Sequence, residues 1–112
     1  MKIKTFNQEP RELNITEWSD EDKAFIKPLN GFEQLVFNDY FLEFYSKEHS
    51  YEERIKAGFD AAKMALVTED GKPLLSDEDY ELIRTASLRP LFRMFSQTMQ
   101  EINNKVESAK KN

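Results

Sequence analysis

The stretch Thr68–Ile83, TEDGKPLLSDEDYELI, decides how the rest of the chain is read. It sets Glu69, Asp70, Asp77, Glu78 and Asp79 around a Gly, a Lys-Pro pair and two leucines, between two segments of helical periodicity. A calcium loop, a catalytic acid cluster and plain chain punctuation all use such residues. An EF-hand loop needs Gly at position six and oxygen ligands at positions one, three, five and twelve. With Gly71 at six, Leu66 falls at one, and leucine cannot ligate a cation. Carboxylate catalysis needs a neighbour that lifts one pKa, and these acids stand among hydrophilic residues. The single His49 has no cysteine or second histidine to work with.

Punctuation accounts for every residue of the stretch. Asp70-Gly71 makes a tight turn, because Gly accepts positive φ. Lys72-Pro73 keeps the chain extended, and Leu74 and Leu75 drop back onto the core. Ser76 caps a short helix whose first turn holds Asp77, Glu78 and Asp79, where the macrodipole favours anions. Tyr80, Ile83 and Ala86 form the inner face of that helix.

Just upstream, Tyr51 to Val67 carries an apolar stripe of Tyr51, Ile55, Gly58, Phe59, Ala62 and Leu66, with Ser50 and Glu53 placed as a capping box. Leu88 to about Val106 has the cleanest helical stripe, through Leu88, Leu91, Phe92, Phe95, Met99, Ile102 and Val106. Ser87 is its expected N-cap, and Pro90 sits in the first turn, where a missing N–H is harmless. Further upstream, Leu13 and Ile15 alternate with Asn14 and Thr16, the period of a half-buried strand. The spacing predicts a hairpin of Arg11–Trp18 with Lys23–Leu29, and Lys2–Phe6 is a candidate third strand. Trp18, at the end of the hairpin, is expected to lie as a lid on the core. The expected fold class is α+β, mainly helical: an N-terminal β-hairpin or small antiparallel sheet followed by about four helices. One domain should span residues 1–107, with a frayed tail at 108–112.

Composition narrows the function. The 112 residues are 33% charged and 39% hydrophobic, the balance of a globular domain. The absence of cysteine removes disulfides, thiolate metal sites and cysteine nucleophiles. Of the net charge of −5, residues 1–53 carry six bases against twelve acids, or −6. An acidic front half disfavours nucleic acid, whose binding rests on neutralising phosphate. No apolar run approaches the roughly 20 residues that span a bilayer, and MKIKTFNQEPREL lacks the apolar core of a signal peptide. The expectation is a cytoplasmic protein with no membrane partner, cofactor or metal, and no enzymatic activity.

Phe32 to about Lys47 is the unusual helix. Phe32, Leu35, Val36, Phe37, Tyr40, Phe41, Leu42, Phe44 and Tyr45 cover nearly its whole circumference at roughly 100° per residue. Such a helix is either central and covered, or it waits for a second copy or for a client. The contact residues expected in the last two cases are Phe37, Phe41, Phe44 and Tyr45, on the side opposite Phe32 and Val36. Arg84, Arg89 and Arg93 recur near helical spacing; a solvated face is the expectation, and an acidic partner the alternative.

The order Ala65-Leu66-Val67, Thr68-Glu69-Asp70-Gly71-Lys72-Pro73-Leu74-Leu75, Ser76-Asp77-Glu78-Asp79, then a short helix and a longer amphipathic one ending near Glu101-Ile102-Asn103, resembles phage tail assembly chaperones. The hairpin ending in Lys27-Pro28-Leu29 is similar to theirs as well. The resemblance covers about fifteen residues in wording and most of the chain in element order. It implies a phage or prophage protein that binds hydrophobic tape measure protein, keeps it soluble and helps recruit tail tube protein, acting by reversible burial of apolar surface, with homo-oligomers possible. Phe32–Tyr45 is more aromatic than that family's pattern. A second class of reading is a small acidic regulatory or inhibitor protein acting by protein–protein binding, drawn from the −6 front half.

Overall fold

The structure is a computed structural model that describes residues 1–3 and 8–110, with side chains through Ile102. Strands β1 (Arg11–Leu13) and β2 (Ala24–Ile26) form an antiparallel hairpin in the register Arg11↔Ile26, Glu12↔Phe25, Leu13↔Ala24. Helices α1 (Gly31–Tyr45) and α2 (Tyr51–Ala65) follow as a helical hairpin. Strand β3 (Leu66–Val67) returns antiparallel to β2, so the sheet order is β1-β2-β3. A 3₁₀ turn at Asp77–Asp79 leads into α3 (Tyr80–Thr85), and α4 (Arg89–Lys110) ends the described chain. The protein is α+β and mainly helical; its described residues form a three-stranded antiparallel sheet with four α-helices.

Strand pairing is shorter than alternation predicts, and local hydrogen bonds explain why. Asn14 Oδ1 accepts from the Thr16 N–H at 2.9 Å, and the Ile15 carbonyl accepts from Trp18 and Ser19 at 2.8 and 3.0 Å. These bonds draw residues 14–19 into a turn before a longer ladder can form. Ile15 is buried all the same, and Trp18 packs on the core as expected, its Nε1 donating to the Ser87 carbonyl at 2.8 Å. Of the candidate third strand Lys2–Phe6, Lys2 and Ile3 are coil and the rest lies outside the described residues; the third strand of the described sheet comes from elsewhere. Leu66 and Val67, predicted as the end of α2, fill that place.

The Thr68–Ile83 stretch folds as punctuation. Gly71 has φ of +82°, and its N–H donates to the Thr68 carbonyl at 2.9 Å. The Leu74 N–H then returns to Leu66 at 3.1 Å, closing a small loop behind β3. Capping boxes open both long helices of the hairpin: Asn30 with Glu33, and Ser50 with Glu53. At α4 the Ser87 hydroxyl accepts from the Arg89 N–H at 3.2 Å. That helix continues to Lys110, past the Val106 limit of the apolar stripe.

The core lies between the sheet and the inner faces of the helices. Leu13, Ile15, Ala24, Ile26, Phe37, Phe59, Leu66, Ile83, Leu91, Met94 and Phe95 all belong to it. Helix α2 contributes mostly small side chains, Ala57, Gly58, Ala61, Ala62 and Ala65. That flat strip lets α1 come close. A Cβ at Gly58 would sit 2.7 Å from the Phe44 ring and 3.1 Å from Leu91, so only glycine leaves room for that ring.

Candidate partner-binding face

The core takes one face of α1 and leaves the other bare. Phe37 is fully buried, and its ring centroid lies 5.2 Å from that of Phe95. Phe44 is also interior, 4.9 Å from Phe95 and 5.7 Å from Phe92. Phe41, one turn from both, is half-buried and 5.8 Å from Phe95. Of the four residues expected at a contact, only Tyr45 is largely exposed, at 42%. Phe37 and Phe44 are therefore corrected to core residues, with Phe41 half-buried against the core.

The apolar face open to solvent is the opposite one. Phe32 is 76% exposed, Leu35 70% and Leu42 56%. With Asp39 they repeat at spacings of three, four and three, a straight seam along about three turns. The densest aromatic run, Phe37–Phe41–Phe44, faces inward because α2 offers its small-residue strip to that side. The signal that separates the faces was present in the sequence: Asp39 lies on the seam of Phe32, Leu35 and Leu42, and a lone charge marks the solvent side of a helix.

This seam runs on into a groove. Tyr45 follows Leu42 by one turn, and its ring lies 6.1 Å from that of Phe92 on α4. Beyond Phe92 opens a cavity of ≈490 Å³, floored by Phe44, Ile55 and Ala86 and edged by Tyr51 and Leu88. Its polar rim is already paired. Arg84 bonds Glu52 through its guanidinium, and Arg54 Nε donates to the Phe44 carbonyl at 2.9 Å, closing the C-terminus of α1. The Arg84 contact holds the Glu52 carboxyl below its usual range, and Arg84 in turn is raised. Burial raises the Tyr45 phenol.

Several other charged groups have structural partners. Arg93 grips Glu17 with two guanidinium nitrogens and reaches the Asn14 carbonyl at 3.1 Å, which pulls the Glu17 carboxyl down to about 2. Two of the three arginines expected on a solvated face are thus paired, and Arg89 is exposed. Asp77 is held low by Lys63, and Asp79 accepts from the Ser76 N–H at 2.8 Å. Glu33, beside Lys27, and Glu53, at the α2 cap, are lowered too. Each of these shifts runs opposite to that of a general acid.

Folding gives His49 neighbours that the sequence did not reveal: its Nδ1 lies 3.4 Å from Glu53 and 3.9 Å from Glu43. These three side chains could each offer a metal one ligand atom. Glu53 is already committed, its other oxygen accepting from the Ser50 N–H at 3.1 Å, and the group stands open to water. It reads as a hydrogen-bonded corner between α1 and α2. Among the described residues no helix is long and apolar enough to cross a membrane. The chain matches no family model, no curated protein and no solved structure.

Proposed function

We propose that this protein is a tail assembly chaperone of phage or prophage type, which holds a hydrophobic, helix-rich tape measure protein and helps bring tail tube subunits to it. The observation that carries the reading is the exposed seam of Phe32, Leu35 and Leu42, continued through Tyr45 and Phe92 into the α2–α4 groove. A folded domain that leaves this much large apolar surface uncovered in one line offers a docking face. Covering each such side chain is worth at most about 1.5–3 kcal/mol before the costs of association. That scale suits reversible capture, as expected of a chaperone that leaves the finished assembly. The resemblance of the Ala65–Asp79 stretch supplies the identity of the client.

The test is co-expression with fragments of the tape measure protein encoded in the same genome. The wild-type chain should raise the soluble fraction of at least one fragment. A Phe32→Ser, Leu35→Ser, Leu42→Ser variant should keep the thermal midpoint of the wild type and lose that effect. No gain in fragment solubility with the wild type would remove the chaperone reading.

A further inference from the structure

Helix α1 carries Glu33, Asp39 and Glu43 and no lysine or arginine. Glu33 is answered by Lys27 at 2.5 Å, and Glu43 is approached by His49 at 3.9 Å. Asp39 has no ion-pair partner among the described residues, although it stands in line with Phe32, Leu35 and Leu42 at the centre of the seam. Any helix that covers those three side chains also removes Asp39 from water. A carboxylate desolvated without a positive partner is costly.

A second copy of α1 cannot supply that partner. Paired in parallel, the two seams would place Asp39 against Asp39. Paired antiparallel, with Phe32 facing Leu42, they would place Asp39 against Leu35. In both arrangements the carboxylate is buried uncompensated, because the facing helix has no base. A single polar residue in an apolar seam sets partner and register in this way. We propose that the outer face of α1 is the seat for an amphipathic helix of another protein, one that carries a lysine or arginine within its own apolar seam, opposite Asp39. This rests on the helix-docking reading above and adds the charge that the client must bring.

Two labelled helical peptides of about three heptads, alike in a leucine seam and differing only in Lys or Glu at its central position, test this by fluorescence anisotropy. The Lys peptide should bind at least about tenfold more tightly than the Glu peptide, as expected for a charge pair in a covered interface. Asp39→Lys should reverse the order, and Asp39→Asn should bring the two affinities together. Amide shifts at Phe32, Leu35 and Leu42 should mark the site for both peptides. Equal binding of the two peptides to the wild type would overturn the charge requirement and leave helix docking standing. Binding of neither peptide, with a wild-type dimer whose α1 amides are protected from exchange, would overturn both in favour of self-association.

Discussion

Helices α1 and α4 both give the core large side chains, yet they treat their outer faces differently. Helix α4 buries Leu91, Met94, Phe95 and Thr98 and turns Ser96 and Gln100 to water, while its Arg93 flank is tied by charge to Glu17. Helix α1 buries Phe37 and Phe44 and turns Phe32, Leu35 and Leu42 outward. Both inner faces meet at one aromatic cluster, in which Phe95 touches Phe37, Phe41, Phe44 and Tyr45. Apolar side chains are thus buried where backbone can approach, and not simply because they are apolar. The small side chains of α2 admit one side of α1, and no element covers the other among the described residues.

The largest effects should come from the inner faces, where the two helices are alike. Phe37→Ala and Phe95→Ala should each cost about 3–5 kcal/mol in urea denaturation, the range for a phenylalanine removed from a closed core. Phe32→Ala should stay within about 0.5 kcal/mol of the wild type, as surface changes do. If Phe37→Ala proves as mild as Phe32→Ala, the two faces of α1 have been assigned the wrong way round.

A smaller effect sharpens the account of why α1 sits where it does. Glycine within a helix ordinarily costs about 1 kcal/mol relative to alanine, so Gly58→Ala would stabilise α2 if space allowed. The added methyl would meet the Phe44 ring at 2.7 and 2.8 Å. That ring is wedged against Phe92, Phe95 and Tyr45 and has little freedom to yield. Overpacking of this kind costs about 1–3 kcal/mol, so the expected outcome is a lower thermal midpoint. A higher one would mean that α1 is free to slide on α2, and the closeness of the two helices would lose its role.

Local features were legible in the sequence where residue chemistry acts over a few positions. Ser50 with Glu53 announced the start of α2, Asp70-Gly71 announced a turn, and the Leu88–Val106 stripe announced α4. Leu66 and Val67 were not legible as a strand, because two residues at the end of a periodic helix carry no period of their own; pairing with Phe25 and Ile26 decides them. The direction of α1 was obscured by its own composition, since aromatic density pointed to a contact face while its one lone seam acid pointed to solvent. Arg93 was read as solvated because its partner, Glu17, lies 76 residues away in sequence.

That long-range pair gives the smallest prediction and separates the two helices by pH. Glu17 falls from an ordinary 4.5 to about 2 in the folded chain, chiefly because the Arg93 guanidinium hydrogen-bonds its charged form. A carboxyl lowered by folding contributes stability that is complete above its unfolded pKa and is lost as pH falls towards the folded one. The wild type should therefore be more stable than Glu17→Gln at neutral pH, with the difference shrinking between about pH 5 and pH 2. Glu33, Glu52, Glu53 and Asp77 are lowered too, so both proteins weaken in acid, and only their difference isolates the α4 tether. Added salt should narrow the gap, because the pair is partly open to solvent. The Phe32, Leu35, Leu42 serine variant should follow the wild-type acid profile throughout, since that face is held by no charge. A gap between wild type and Glu17→Gln that stays constant down to pH 2 would show that Arg93 anchors α4 through packing and the Asn14 carbonyl instead of through the carboxylate.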